Sequence, residues 1–179
     1  MKKEFPLSKV YTLLESGPVI LLSTAGKTRP NVMAMSWHTM IDFDPPLIGC
    51  VIGEGSLTFK TVKALKECVI SVPTAAIGRK AVACGSVSGA KTDKFARFGL
   101  TPEKASLVKA PLIKECYASL ECRLADASMA KKYNLFVFRV VKAWVDPAAR
   151  KPRTIHHLGK DSFMVAGPRI SIRPAAAKK

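Results

Sequence analysis

A chain of 179 residues with 48% hydrophobic residues and a mean hydropathy of +0.13 is long enough to bury a substantial core and short enough to form one domain. It lacks the run of about 18 apolar residues that a membrane helix needs, and Met1 to Pro6 leads into a helical pattern instead of the apolar core of a signal peptide, so the expectation is a soluble, cytoplasmic protein with no membrane partner. A formal charge of +16 invites nucleic acid, but Lys and Arg are scattered, aromatics are 7% of the chain, and no helix-turn-helix, RNP-like or zinc-finger spacing occurs; a basic surface that gathers anionic cofactors or substrates explains the charge equally well.

In chain order, Ser8 is placed to cap a short helix with Val10, Leu13 and Leu14 on one face, stopped by Gly17-Pro18. Val19 to Thr24 is an apolar, partly β-branched run, and Gly26 to Pro30 is a turn that joins it to a second strand, Asn31 to Thr39. That strand alternates: Val32, Ala34, Ser36 and His38 point one way, Met33, Met35 and Trp37 the other. Asp44-Pro45-Pro46 precedes a third strand, Leu47 to Ile52. Helical spacing follows from Leu57 to Glu67 with Phe59, Val62 and Leu65 on one face, then a strand at Cys68 to Val72. Ile77, Ala81 and Cys84 predict another short helix, and Asp93 to Phe98 a third, closed by Gly99. Ala118 to Ala127 and Leu135 to Val145 should pair, and Thr154 to Leu158 adds a last strand. Antiparallel strands with short inserted helices predict a mainly β (α+β), barrel-like domain over residues 1–165. Residues 166–179 form a basic tail; from Arg150 onward eight Lys or Arg face one acid, Asp161, and the final Ala-Ala-Ala-Lys-Lys reads as a frayed end.

Two loops have the ingredients of an anion site. Gly85-Ser86-Val87-Ser88-Gly89-Ala90-Lys91-Thr92 misses the P-loop pattern, because three residues separate the glycines and Ala90 precedes the lysine, which argues against ATP hydrolysis. It still combines close backbone approach, two serine hydroxyls, and the charges of Lys91 and Lys94. Gly53-Glu54-Gly55-Ser56-Leu57-Thr58 directs free amides and two hydroxyls at one point, suiting a phosphate monoester, although Ser56 can also serve simply as a helix cap. Asn31 to Thr39 sets Asn, Ser, His and Thr among methionines and a tryptophan. That suits either a wet edge strand or a ring that is apolar on its faces and polar along one edge.

The remaining chemistry-bearing residues exclude more than they assign. Cys50, Cys68, Cys84, Cys116 and Cys122 are spread among apolar residues with no C-x-x-C pair, as buried structural thiols are; Cys84 stands out because it abuts the glycine-rich turn. His38, His156 and His157 are too few and too scattered for a metal centre, so no metal is expected. No G-x-S-x-G elbow or Cys-His-Asn order supports a hydrolase.

Taken in order, Ser16-Gly17-Pro18-Val19, Arg29 to Trp37, Phe43-Asp44-Pro45-Pro46-Leu47, Ser71-Val72-Pro73-Thr74, Cys84 to Gly89, Asp93-Lys94-Phe95, Gly99-Leu100-Thr101 and Ala110-Pro111-Leu112-Ile113 resemble the flavin reductase-like, flavoredoxin-type FMN-binding proteins over residues 16–159. The resemblance implies a Greek-key split barrel, FMN bound without a covalent link, and a homodimer with flavin sites near the subunit interface. It places Asn31, Ala34, Met35, Ser36 and Trp37 along the isoalloxazine, Ser56, Leu57 and Thr58 at the phosphate and ribityl chain, and Ser88 with Lys94 at a second anion-binding edge. The ending, His156-His157-Leu158-Gly159, matches the family's last strand only loosely; the paired histidines suit either a bound substrate or the surface, and His157 is the one candidate substrate contact. Leu57 stands where many relatives have an aromatic residue.

The implied activity is an FMN-dependent oxidoreductase whose donor is NAD(P)H or a small redox protein. The absence of a G-x-G-x-x-G fingerprint leaves that choice open. Two other readings are an FMN carrier or sensor without turnover, and a basic nucleic-acid-binding barrel; the preferred reading has no nucleic-acid partner.

Overall fold

The computed structural model describes residues 1–172, so the predicted frayed end, Ala-Ala-Ala-Lys-Lys, lies outside the described residues. The elements are β1 (Lys3–Glu4), α1 (Tyr11–Leu14), β2 (Ile20–Thr24), β3 (Asn31–Met35), β4 (His38–Phe43), β5 (Pro46–Val51), α2 (Leu57–Leu65), β6 (Glu67–Val72), α3 (Gly78–Gly85), α4 (Lys94–Phe98), β7 (Pro102–Glu103), β8 (Leu112–Ile113), β9 (Ala118–Asp126), α5 (Ala130–Tyr133), β10 (Leu135–Val145), β11 (Ile155–Gly159) and β12 (Ser162–Val165). The main sheet runs β3-β2-β6-β9-β10-β5-β4, with β1 beside β10, and its pairings are antiparallel. β3 and β4 are therefore the two edges, yet only Ser36 and Trp37 separate them. Three Cα steps reach at most roughly 11 Å, so the sheet must curl until its edges nearly meet. The result is a barrel split between β3 and β4, mainly β with short inserted helices.

Strand alternation fills this barrel. Ile20, Leu22, Ile48, Ile70, Leu120 and Phe136 point inward and are fully buried. Helix α2 closes one end: Phe59 meets Phe136 edge-on at 5.1 Å, and burying a side chain of that size contributes about 1.5–3 kcal/mol. The alternate residues of β2 and β3, Leu21 and Val32, face outward into a second cluster with Ala81, Cys84 and Phe95 of α3 and α4. Both faces of β3 are thus packed, Met33 and Met35 toward the barrel, Val32 and Ala34 toward the helices.

Several expected boundaries change for identifiable reasons. Ser8 caps nothing; a 3-10 turn at Leu7–Lys9 leads into α1 without a side-chain cap, although Val10, Leu13 and Leu14 are buried. Asn31 to Thr39 is two strands, because β3 pairs with β2 and β4 with β5, and the chain changes partners at Ser36-Trp37. Helix α2 ends at Leu65, since Lys66 takes a left-handed φ of 59° and Glu67 already belongs to β6. The last predicted strand, Thr154 to Leu158, is β11, which among the described residues pairs only with β12, a strand missing from the expected elements. All five cysteines are buried and free. Among the described residues no helix is long and apolar enough to cross a membrane.

Candidate functional site

A cavity of about 390 Å³ lies between β3, the start of α2 and the connection from α3 to α4. Gly53-Glu54-Gly55 turns the chain out of β5, and Ser56 then caps α2, its Oγ accepting from the Phe59 amide at 3.1 Å. The first turn of this nine-residue helix lines the cavity and brings unpaired amides and partial positive charge. Thr58 is fully buried, and its hydroxyl oxygen accepts from Asn31 Nδ2 at 3.0 Å. The Thr58 proton stays available to a further acceptor.

Asn31 Oδ1 is buried and has no hydrogen-bond partner among the described residues. Such an orphaned acceptor costs about 1–3 kcal/mol, a cost that a donor on a bound molecule would remove. Opposite it stands Gly89, where any Cβ would collide with Asn31 Oδ1; glycine is required there by close approach, not by a special φ. Lys94 forms the other wall. It opens α4 behind the Asp93 cap, is 5% exposed, and donates from Nζ to the Cys84 carbonyl at 2.7 Å. An ammonium has three donors, and the cavity lining contains no carboxylate to take the others. Burial pushes the Lys94 pKa down, while the neighbouring Cys84 opposes that shift. The arrangement is an anion site: one buried cation, one helix start and four hydroxyl-bearing residues, Ser56, Thr58, Ser86 and Ser88, around a glycine cradle.

A second cavity of about 160 Å³ is lined by Val19, Ala34, Met35, Ser36, Val82, His157 and Phe163. Ala34 borders both cavities, so together they form a track along β3, apolar at one end and anion-attracting at the other. The β11–β12 hairpin covers the apolar end. His157 packs on Phe163 with ring centroids 5.1 Å apart, and because a carbonyl only accepts, its contact with Lys160 O at 3.0 Å puts the proton on Nε2 and leaves Nδ1 as an acceptor. The same logic separates the paired histidines. His156 Nδ1 donates to Gly17 O at 3.2 Å and its Nε2 accepts from the Thr154 hydroxyl at 3.0 Å, a structural tie away from the cavities. His38 donates from Nε2 to Pro18 O at 2.7 Å, and burial holds its pKa below the ordinary histidine value against the pull of that carbonyl.

Among the residues singled out in the sequence, Asn31, Ala34, Ser56, Leu57, Thr58, Ser88 and Lys94 share the first cavity. Ala34, Met35, Ser36 and His157 share the second. Trp37 lines neither; it sits at the β3–β4 link, 71% exposed. Sequence reasoning missed Met33 in the first cavity and Val19, Val82 and Phe163 in the second. A usable signal existed for Phe163, since Gly159-Lys160-Asp161 followed by Ser-Phe-Met-Val has the form of a hairpin turn and return strand.

The flavin reductase like domain matches residues 14–161, which include every residue lining the two cavities except Phe163. Protein YddH of Escherichia coli is 31% identical over 173 residues, covering 89% of this chain and 92% of that protein. The FMN-binding domain of a flavin reductases-like enzyme from Shewanella baltica superposes with a TM-score of 0.89 at 27% identity, over 97% of this chain and 98% of the other. Flavoredoxin of Desulfovibrio vulgaris shares the fold, with a TM-score of 0.80 at 24% identity over 89% of this chain and 92% of its own. By the domain match and by the extent of its relatives, this chain belongs to the flavin reductase-like family.

Proposed function

We propose that the chain binds FMN without a covalent bond and works as an FMN-dependent oxidoreductase. The observation that carries this reading is the continuous track along β3, in which the anion cavity around Lys94 meets the apolar cavity at Ala34. A molecule with a phosphate at one end, hydroxyls in the middle and a flat ring at the other fits that sequence of environments. The orphaned Asn31 Oδ1 and the glycine cradle at Gly89 fit the hydroxyl-rich middle of the same molecule.

Lys94 and the first turn of α2 would hold the phosphate, Asn31, Thr58 and Ser88 the polyol and ring edge, and Ala34, Met35, Ser36 and Val82 the ring. FMN supplies, at N5 of its ring, the atom that takes up and passes on a hydride or electrons. No side chain of the chain then needs to act as acid or base. His157 and Phe163, at the mouth of the apolar end, meet the electron donor or acceptor, which is NAD(P)H, a small redox protein or a small oxidant. We propose further that the working unit is a homodimer formed through the exposed apolar residues at the start of the β4 edge, Trp37 of the β3–β4 link and Ile41 of β4.

The test is the visible spectrum of freshly purified protein, chromatography of the chromophore released by heat, and then NAD(P)H oxidation with an electron acceptor. Two flavin bands, released FMN and turnover are expected. A colourless protein that takes up no added FMN would refute the reading, and bound FMN without turnover for any donor would reduce it to a flavin carrier.

A further inference from the structure

A groove of about 240 Å³ lies between the end of α1 and β4, with Leu14, Glu15 and Gly17 on one wall and His38, Thr39, Met40 and Ile41 on the other. Consecutive strand residues point to opposite faces, so a space touched by four in a row lies along the edge of β4. That edge is open: β4 ends the main sheet and, among the described residues, its ladder is with β5 alone. Unpaired edge groups are a template for one more strand. The groove also has an unmet acceptor, since His38 lines it and His38 Nδ1 is buried with no hydrogen-bond partner among the described residues.

Its charge is unlike that of the rest of the molecule. The chain carries a net +16, yet no Lys or Arg occurs from Val10 to Gly26 or from Pro30 to Phe59, the two stretches that supply both walls. Glu15 lines the groove, and Asp42 and Asp44 bracket Phe43 at its end. All three acids are exposed, and none forms an ion pair among the described residues.

The chain beyond β12 has the complementary character. Ala166 makes a backbone hydrogen bond to Thr154 O at 2.8 Å, and from Gly167 to Ile172 the chain belongs to no helix or strand. Ile170 and Ile172 are 79% and 81% exposed. Arg169-Ile170-Ser171-Ile172-Arg173 nevertheless alternates polar with apolar residues, the period of a strand with one covered face. Residues 166–179 include four Lys or Arg and no acid. Within its own chain Arg169 stands near enough to Tyr117 to oppose the upward push that burial gives that phenol, which leaves the two isoleucines facing outward.

We propose that the segment from Arg169 onward docks as an added strand on the β4 edge of a second copy of the chain, with Ile170 and Ile172 against Ile41 and its basic residues toward Glu15, Asp42 and Asp44. Exchange between two copies is reciprocal and fills both grooves. With +16 on each chain, the new ion pairs offset only part of the repulsion between copies, so added salt still favours association. The inference rests on the homodimer proposed above, and its test separates the two.

Dimer dissociation constants are measured by sedimentation equilibrium at about 0.15 M salt for the native chain, for a chain ending at Gly167, and for full-length Glu15→Arg. The described residues that these changes remove are exposed, so circular dichroism should be unchanged. Dimerisation should weaken roughly tenfold or more in the truncated chain and roughly threefold or more in Glu15→Arg. In a mixture of Ile41→Cys with Ile170→Cys, a short bismaleimide should join the two different chains, because the five native thiols are buried. A native dimer that either change leaves as tight would overturn the proposal and leave the homodimer standing. A native chain that stays monomeric would remove both. Linkage confined to single molecules in Ile41→Cys/Ile170→Cys would mean that the segment folds back on its own β4, which overturns the exchange. If truncation has no effect but spermine protects Ile41→Cys from maleimide, the groove serves a free polycation and the proposal falls.

Discussion

Lys94 shows how one residue converts packing into ligand preference. Its stem is part of a buried wall, its ammonium has one protein acceptor, and burial lowers its pKa from the usual 10.5. Because the folded value lies below the unfolded one, the ligand-free fold pays for that charge at every pH below the folded pKa, and the penalty fades as pH rises toward 10.5. An anion in the cavity reverses the sense, since it needs the proton on Lys94. FMN affinity should therefore be greatest near neutral pH and fall on the alkaline side, starting below pH 10.5. Lys94→Gln should lose about 10–100-fold at neutral pH, the worth of one charged hydrogen bond of roughly 1.5–3 kcal/mol. Fluorescence titration of both proteins across this range decides the matter: an alkaline fall that persists in the variant belongs to another group. Cys84, whose carbonyl binds Lys94, is no rival centre, for burial pushes its thiol up to about 11 against the pull of Lys94 and keeps it protonated at neutral pH.

Among the elements, the segment from Pro102 to Ile113 carries the feature hardest to read in advance. It straps across the outer face of β6, β9 and β10, where Ala105, Val108, Ala110 and Leu112 pack on Val69, Val141 and Trp144. Glu121 of β9 holds it: fully buried, it accepts from the amides of Ser106 and Leu107 and from Trp144 Nε1 at 2.8 Å. Glu121→Leu would leave three donors unmet and should cost at least about 3 kcal/mol, with Glu121→Gln costing less because one acceptor survives. Urea unfolding measures this, and equal midpoints for the Leu variant and the native chain would mean that the apolar contacts alone hold the strap.

In sequence, Glu121 is one acid in a strand that alternates, indistinguishable from a solvated residue until the strap covers it. The same holds for Ser36-Trp37, where no glycine or proline marks the break, because the cause is a change of strand partner across the barrel. What was legible was local: the β2–β3 turn, the Ser56 cap, the stop at Gly99 and the two glycine-bearing loops. Those loops fall on one cavity because β3 runs beneath both, a long-range fact that periodicity does not contain.

At the scale of the whole molecule, the split in the barrel leaves β4 as an edge with its outer residues uncovered. Trp37, just before β4, and Ile41 within it are 71% and 49% exposed, whereas His38 and Met40 between them turn toward the protein; Phe43, beyond the bulge, packs edge-on against Tyr11 at 4.9 Å. An apolar stripe on an exposed edge strand is an aggregation hazard unless a partner covers it, and a stable interface needs roughly 800 Å² from each side. Trp37 also follows Ser36, a lining residue of the apolar cavity, so a second copy seated on the stripe would stand beside the ring end of the track. Against association stands the formal charge of +16 on each chain, a repulsion that salt screens without weakening apolar burial. The chain of 19.4 kDa should therefore sediment at twice its mass, dissociate more readily as salt is lowered, and become monomeric in Trp37→Glu/Ile41→Glu. Sedimentation equilibrium at two ionic strengths provides the comparison. Dimers that instead tighten as salt is removed would point to an interface built on ion pairs and away from β4, whereas the expected order would tie the exposed edge, the basic surface and the flavin track into one assembly.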